Sequence, residues 1–159
     1  MIRRFLLVTI AVFISAAAVS AQKPAPAAPH STEATRALVK SYLEVQTALA
    51  EDRFDDVKGP ARSIASQAAA LGAGGAELAK AATAFVNAAD LAAARTAFGP
   101  LSDAVIARVR AEGSSEVASQ LKLAYCPMAR KSWLQSGEQV RNPYYGTKML
   151  TCGELKPVK

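Results

Sequence analysis

The sequence predicts a mainly α-helical domain, an up-down four-helix bundle closed by a C-terminal irregular cap with a short extended segment. Three observations lead there. Apolar residues recur at spacings of three and four across residues 34–112, the period of one helix face. The breaks between these stretches are short and rich in Gly, Pro and Asp, so successive helices are expected to run antiparallel. Sulfur and aromatic side chains then crowd into the last third. Apart from Met1, every sulfur belongs to Cys126, Met128, Met149 or Cys152, and Trp133, Tyr125, Tyr144 and Tyr145 lie among them.

The chain begins outside this domain. Arg3 and Arg4 precede an apolar run from Phe5 to Val19, and Val19-Ser20-Ala21 offers small residues for cleavage. This is the layout of a secretory signal peptide over 1–21, cleaved near Ala21. A periplasmic or secreted protein is expected, with no stable membrane insertion after cleavage. Residues 22–33 follow as a Pro/Ala-rich linker, stiff and unable to bury a core. It carries His30, the only histidine, which reads as a solvated linker residue.

The first helix is expected to start near Ser31 or Thr32, either of which can cap it. Leu38, Tyr42, Val45 and Leu49 form its inner face. The second spans roughly 53–71, with Val57, Ala61, Ile64, Ala68 and Leu71 inward; Gly59-Pro60 either kinks it or marks its true start. Gly72 to Gly75 stop it. The third runs from Ala76 to about Ala88, with Leu78 and Phe85 inward. Asp90 caps the fourth, whose stripe is Leu91, Ala94, Phe98, Leu101, Val105 and Val109. Gly99-Pro100 should bend or break it. Residues 113–159 form the cap. Leu121, Leu123 and Tyr125 alternate with polar or small residues, as in a strand. Residues 131–140 are expected to form a helical turn or two around Trp133 and Leu134. Asn142-Pro143 and Gly146 mark turns.

Charge divides the chain in the same place. Residues 22–112 hold ten basic and ten acidic side chains, whereas 113–159 hold seven basic and three acidic. The cap therefore carries the net positive charge, as a solvated surface, as a dock for an acidic partner, or as cations that lower nearby thiol pKa values. Export argues against nucleic acid as the partner.

Two chemistries fit the sulfurs. Pro127 disfavours a helical Cys126, so Cys126-Pro127-Met128 is expected to be extended, with both sulfurs on one side. Met149 and Cys152 share one face of a helical turn. Thiolate and thioether together select a soft ion, Cu(I) or Ag(I). Alternatively, in an oxidising compartment Cys126 and Cys152 pair as a disulfide. Closing a loop of about 26 residues, it would stabilise by roughly 3–4 kcal/mol on the chain-entropy model, and the methionines would be core filler. A redox-gated site combines the two. Trp133, Tyr144 and Tyr145 read as cap packing.

Tyr125-Cys126-Pro127-Met128-Ala129, Trp133-Leu134, Asn142-Pro143-Tyr144-Tyr145-Gly146 and Met149-Leu150-Thr151-Cys152-Gly153 resemble a domain-of-unknown-function family of exported bacterial proteins. That domain is also found appended to the periplasmic adaptor subunits of heavy-metal efflux pumps. Ala94-Arg95, Phe98 and Leu101-Ser102 resemble its last bundle helix, and the resemblance spans roughly 34–155. It implies a helical bundle with a Cys/Met-bearing cap, copper or silver handling, and a periplasmic efflux adaptor or other envelope protein as partner. Unlike the fused forms, this chain is expected to stand without adaptor domains, which argues against direct pump contact.

An enzyme is not expected. A nucleophilic Cys126 would need a base, and no histidine lies in the expected folded region. No paired-carboxylate, phosphate-loop or zinc-hydrolase pattern occurs.

Overall fold

The computed structural model describes residues 29–113 and 115–158. The expected signal peptide with its cleavage point, and residues 22–28 of the expected linker, lie outside them. The described chain is mainly helical and ends in a small antiparallel sheet.

Helix α1 spans Pro29–Ala50. It starts earlier than Ser31 or Thr32, and Pro29 supplies the reason: its fixed φ and missing N–H suit the first position of a helix. His30 is thus in the first turn of α1 rather than in a linker. Leu38, Tyr42, Val45 and Leu49 are fully buried, as their spacing requires. A short 3-10 helix, Phe54–Asp56, leads into α2, Lys58–Ala70. Pro60 is the third residue of α2 and does not begin it. A first-turn residue has no intrahelical partner for its N–H, so proline loses nothing there.

A 3-10 turn, Gly72–Gly75, joins α2 to α3, Ala76–Val86. Asp90 then caps α4, Leu91–Ala111, by accepting from the Ala93 amide at 2.7 Å. The expected break at Gly99-Pro100 does not occur, and α4 runs through both residues. Phe98, Leu101, Val105 and Val109 are fully buried along it. Each long helix packs on its neighbour in the chain, and α1 meets α4. Among the described residues no helix is long and apolar enough to cross a membrane.

After a single turn of helix, α5 (Glu116–Ser119), come strands β1 (Lys122–Cys126) and β2 (Lys131–Gln135), and later β3 (Glu154–Pro157). The sheet order is β2-β1-β3, antiparallel throughout. The expected irregular cap is therefore a three-stranded sheet, and β2 replaces the helical turns expected over 131–140. Trp133 and Leu134 are adjacent and both fully buried. Adjacent buried residues point to opposite faces of a strand, so β2 is covered on both sides. β1 differs: its fully buried residues, Ala124 and Cys126, share one face, while Tyr125 of the expected inward stripe, on the other, is 39% exposed. One face lies against α4, where Leu123 and Ser132 line a cleft with Asp103, Ile106 and Ala107. The other lies under the segment 136–153, whose Gly153 approaches the Trp133 ring.

A chain of hydroxyls joins the layers. The Leu134 amide donates to Tyr42 Oη at 3.0 Å, Tyr42 Oη and Ser102 Oγ lie 2.7 Å apart, and Ser102 Oγ donates to the Ser132 carbonyl at 3.0 Å. Burial pushes the Tyr42 hydroxyl pKa well above its ordinary value, so it stays a neutral donor. Tyr42, Phe98, Tyr144 and Trp133 continue the link as a run of ring contacts, with centroids 5.5–5.9 Å apart.

Candidate thiol site

Cys126 is the last residue of β1 and Cys152 lies two residues before β3. Since β3 pairs with β1, the two cysteines meet at one end of the sheet. Their sulfurs are 2.8 Å apart and the cysteines are free. That exceeds the roughly 2.05 Å of a disulfide and falls short of the roughly 4 Å expected of two thiolates sharing an ion.

Two turns deliver the sulfurs. Cys126 pairs with Lys131 in register, leaving Pro127 to Arg130 as the hairpin turn. The chain thus bends at Pro127 instead of staying extended. Met128 sits in the turn, 65% exposed, and does not share the side of a strand with buried Cys126. The bend aims backbone donors at sulfur: the Ala129 amide lies 3.5 Å from Cys126 Sγ, and the Met128 amide also faces it. Met149 ends a 3-10 helix, Gly146–Met149, and its carbonyl accepts from the Cys152 amide at 3.0 Å.

Asn142 holds the two turns together. It is fully buried. Its amide nitrogen donates to the Cys152 carbonyl at 2.7 Å, and its side-chain oxygen accepts from the Tyr144 and Tyr145 amides at 2.8 and 3.2 Å. Its backbone N–H donates to Leu150 O and its backbone carbonyl accepts from Gly146 N. Gly146, at φ +58°, lies where any Cβ would overlap the Asp52–Arg95 ion pair. Arg95 also donates to the Pro143 and Leu49 carbonyls, so it fixes this corner to α1 and α4. Hydrogen bonds from the Thr147 hydroxyl and the Arg95 guanidinium hold Asp52 below the usual carboxylate range.

The pair is electrically unequal. Burial pushes the Cys126 thiol up, but hydrogen bonds from the Cys152 thiol, the Ala129 and Met128 amides and Asn142 outweigh it and bring the pKa below the ordinary value. The hydrogen bond to Cys126 first, then burial, raises Cys152. Cys126 is thus the first of the two to ionise, with Cys152 the thiol that donates to it. Between the lowered Cys126 pKa and the ordinary thiol value, the folded state holds one proton and the unfolded chain two, so stability rises with pH. Above the ordinary value the unfolded chain holds none while Cys152 keeps its proton, so stability falls. The reduced, metal-free protein is therefore expected to be most stable near about pH 8.5. Melting temperature against pH checks this, and the double variant Cys126→Ser, Cys152→Ser should lose the maximum.

The residues proposed for cap packing occupy the surroundings. Trp133 is fully buried, its indole donating to Gln135 Oε1 at 3.0 Å, and Tyr144 donates to the Ser132 carbonyl at 2.8 Å. Tyr145 lines a cleft of about 630 Å³ with Arg95, Lys131 and Ala129 beside the hairpin turn. A second cleft of about 630 Å³ runs along α1 past Val39, Leu43 and Leu121 and does not include the cysteines. The three exposed large apolar side chains among the described residues are Tyr125, Met128 and Met149. All three flank the thiols in sequence, so neither methionine is core filler. Among the described residues no group of three or more His, Cys, Asp and Glu converges. An ion here would rest on the two thiolates and the thioethers, a donor set that suits a soft cation.

Sequence reasoning took Asn142 only as a turn former and passed over the Met128 and Ala129 amides. The Asn-Pro pair was the available signal for the first. Backbone donors leave no signal in residue type. Comparison with protein-family models, with curated proteins and with solved structures finds no match to this chain.

Proposed function

We propose that the protein is a periplasmic, non-catalytic accessory to heavy-metal efflux that holds Cu(I) or Ag(I) between Cys126 and Cys152. The observation that carries this reading is the meeting of the two sulfurs at 2.8 Å beside backbone amides that stabilise a thiolate. The partly exposed thioethers of Met128 and Met149, at 65% and 36% exposure, support it as supplementary ligands that swing in as the ion binds. The sulfurs would need to separate by about an ångström to share an ion, a small adjustment for two turn segments. The family resemblance supports export, and a periplasmic efflux adaptor or other envelope protein as the partner. The helical layer is read as an up-down four-helix bundle, supported by its short connections and by the contact between α1 and α4.

Anaerobic titration with Cu(I) against a competing chelator tests the site. One ion per chain is expected, with binding lost in the Cys126→Ser, Cys152→Ser double variant. Met128→Leu with Met149→Leu should weaken binding by about tenfold. Unchanged affinity in the double cysteine variant would sink the proposal.

The short sulfur separation also favours a second reading, an envelope interaction module stapled by a Cys126–Cys152 disulfide. Intact mass before and after reduction and alkylation separates the two, because a stapled protein as isolated has no alkylatable thiol.

A further inference from the structure

We infer that Cys126 and Cys152 form an exchanging dithiol with divided roles: partly exposed Cys152 meets an external disulfide, and buried Cys126 resolves it. This goes beyond metal binding and holds for the metal-free protein.

The division follows from position. Cys126 is 0% exposed, on the buried face at the end of β1. Cys152 is only partly buried, in the loop between the 3-10 helix and β3. An incoming disulfide can therefore reach Cys152 and not Cys126. The reach between them is short. At 2.8 Å, Cys126 Sγ attacks Cys152 Sγ after a side-chain rotation, with no rearrangement of the sheet. The Ala129 amide at 3.5 Å and the Met128 amide hold Cys126 Sγ as the attacking sulfur. The surroundings also leave Cys152 approachable, since its closest sequence neighbours Thr151 and Gly153 are exposed and partly exposed, and Met128 turns to solvent.

The chemistry balances as ordinary exchange. Cys152 gives up its proton to solvent and attacks one sulfur of a disulfide RSSR. A Cys152–S–SR bond forms, the RS–SR bond breaks, and the first RS⁻ leaves. Cys126 thiolate then attacks Cys152 Sγ. The Cys126–Cys152 bond forms, the mixed disulfide breaks, and the second RS⁻ leaves. Two thiols are oxidised, one disulfide is reduced to two thiols, and the two cysteine protons end on the two leaving groups. Excess RSH reverses the sequence.

The test uses the full chain, reduced and stripped of metal with a Cu(I) chelator, incubated with oxidised glutathione as the probe disulfide. Intact mass after acid quenching should show wild type losing two hydrogens, reversibly on addition of reduced glutathione. Cys126→Ser should stop as a mixed disulfide carrying one glutathione on Cys152. Cys152→Ser should react about tenfold slower or less while folded, and at full rate in urea. Peptide mapping of the quenched wild-type intermediate should place its glutathione on Cys152, a readout that needs no variant to fold. Wild type remaining a dithiol in oxidised glutathione would overturn the inference, as would first modification on Cys126. Because no metal is present, either failure leaves the Cu(I) reading intact. A failed Cu(I) titration likewise leaves this one intact.

Discussion

Replacing Asn142 by Ala is expected to destabilise the reduced protein by about 4 kcal/mol. The side chain is fully buried and serves three backbone groups on two segments: the Cys152 carbonyl and the Tyr144 and Tyr145 amides. Alanine leaves all three without this partner, and each buried unsatisfied group costs about 1–3 kcal/mol. Water entering the vacated space would recover part of that. Asn142→Asp, as a neutral carboxyl, keeps an acceptor for the two amides and an O–H donor for the Cys152 carbonyl, so its loss should be smaller. Urea denaturation of the three proteins under reducing conditions measures the order. A loss below about 1 kcal/mol in Asn142→Ala would mean that the corner is held elsewhere. The same variant removes a donor facing Cys126, so the Cys126 pKa should move up and the thiolate's ultraviolet absorbance should appear at higher pH.

Gly146→Ala is expected to cost about 3 kcal/mol, from two sources. A left-handed φ of +58° is strained for alanine by about 1–2 kcal/mol. The added methyl would also overlap Asp52 and Arg95, whose ion pair is only partly exposed, at 32% and 18%. Separating them strips Arg95 from the corner it fixes to α1 and α4. The prediction has a control. In an Asp52→Ala background the methyl has less to displace, so the Gly146→Ala penalty should shrink toward the backbone term alone. Equal penalties in both backgrounds would show that the ion pair does not depend on this glycine.

These two positions also mark where the sequence could be read and where it could not. The helices are periodic in sequence because one face of each is buried. Leu38, Tyr42, Val45 and Leu49 on α1, and Phe98, Leu101, Val105 and Val109 on α4, are all fully buried. The cap lacks such a signal. Strand β2 was mistaken for helical turns because Trp133 and Leu134 are both buried, on opposite faces, and that pattern depends on cover from α4 and from residues 136–153. The bend at Pro127 was missed for a related reason. Proline excludes helix for Cys126 but does not choose between a strand and a hairpin turn. Cys126 and Cys152 were legible as a pair because cysteine is rare here, and their closeness depends on β3 returning beside β1.

The hydroxyls that join sheet to helices have a further effect at the margin of the sheet. β2 is an outer strand; the carbonyl of Ser132 accepts from the Ser102 and Tyr144 hydroxyls, and the amide of Leu134 donates to the Tyr42 hydroxyl. Side chains thus occupy positions that a foreign strand would need for pairing. The opposite margin, β3, carries exposed Lys156 and Pro157, a charge and a missing N–H that both discourage strand addition. Three strands alone would invite intermolecular growth; here one border is plugged and the other is made unattractive. A Tyr42→Phe substitution would free the Leu134 amide alone, since Ser102 and Tyr144 still hold the Ser132 carbonyl, so the border should stay closed to a foreign strand.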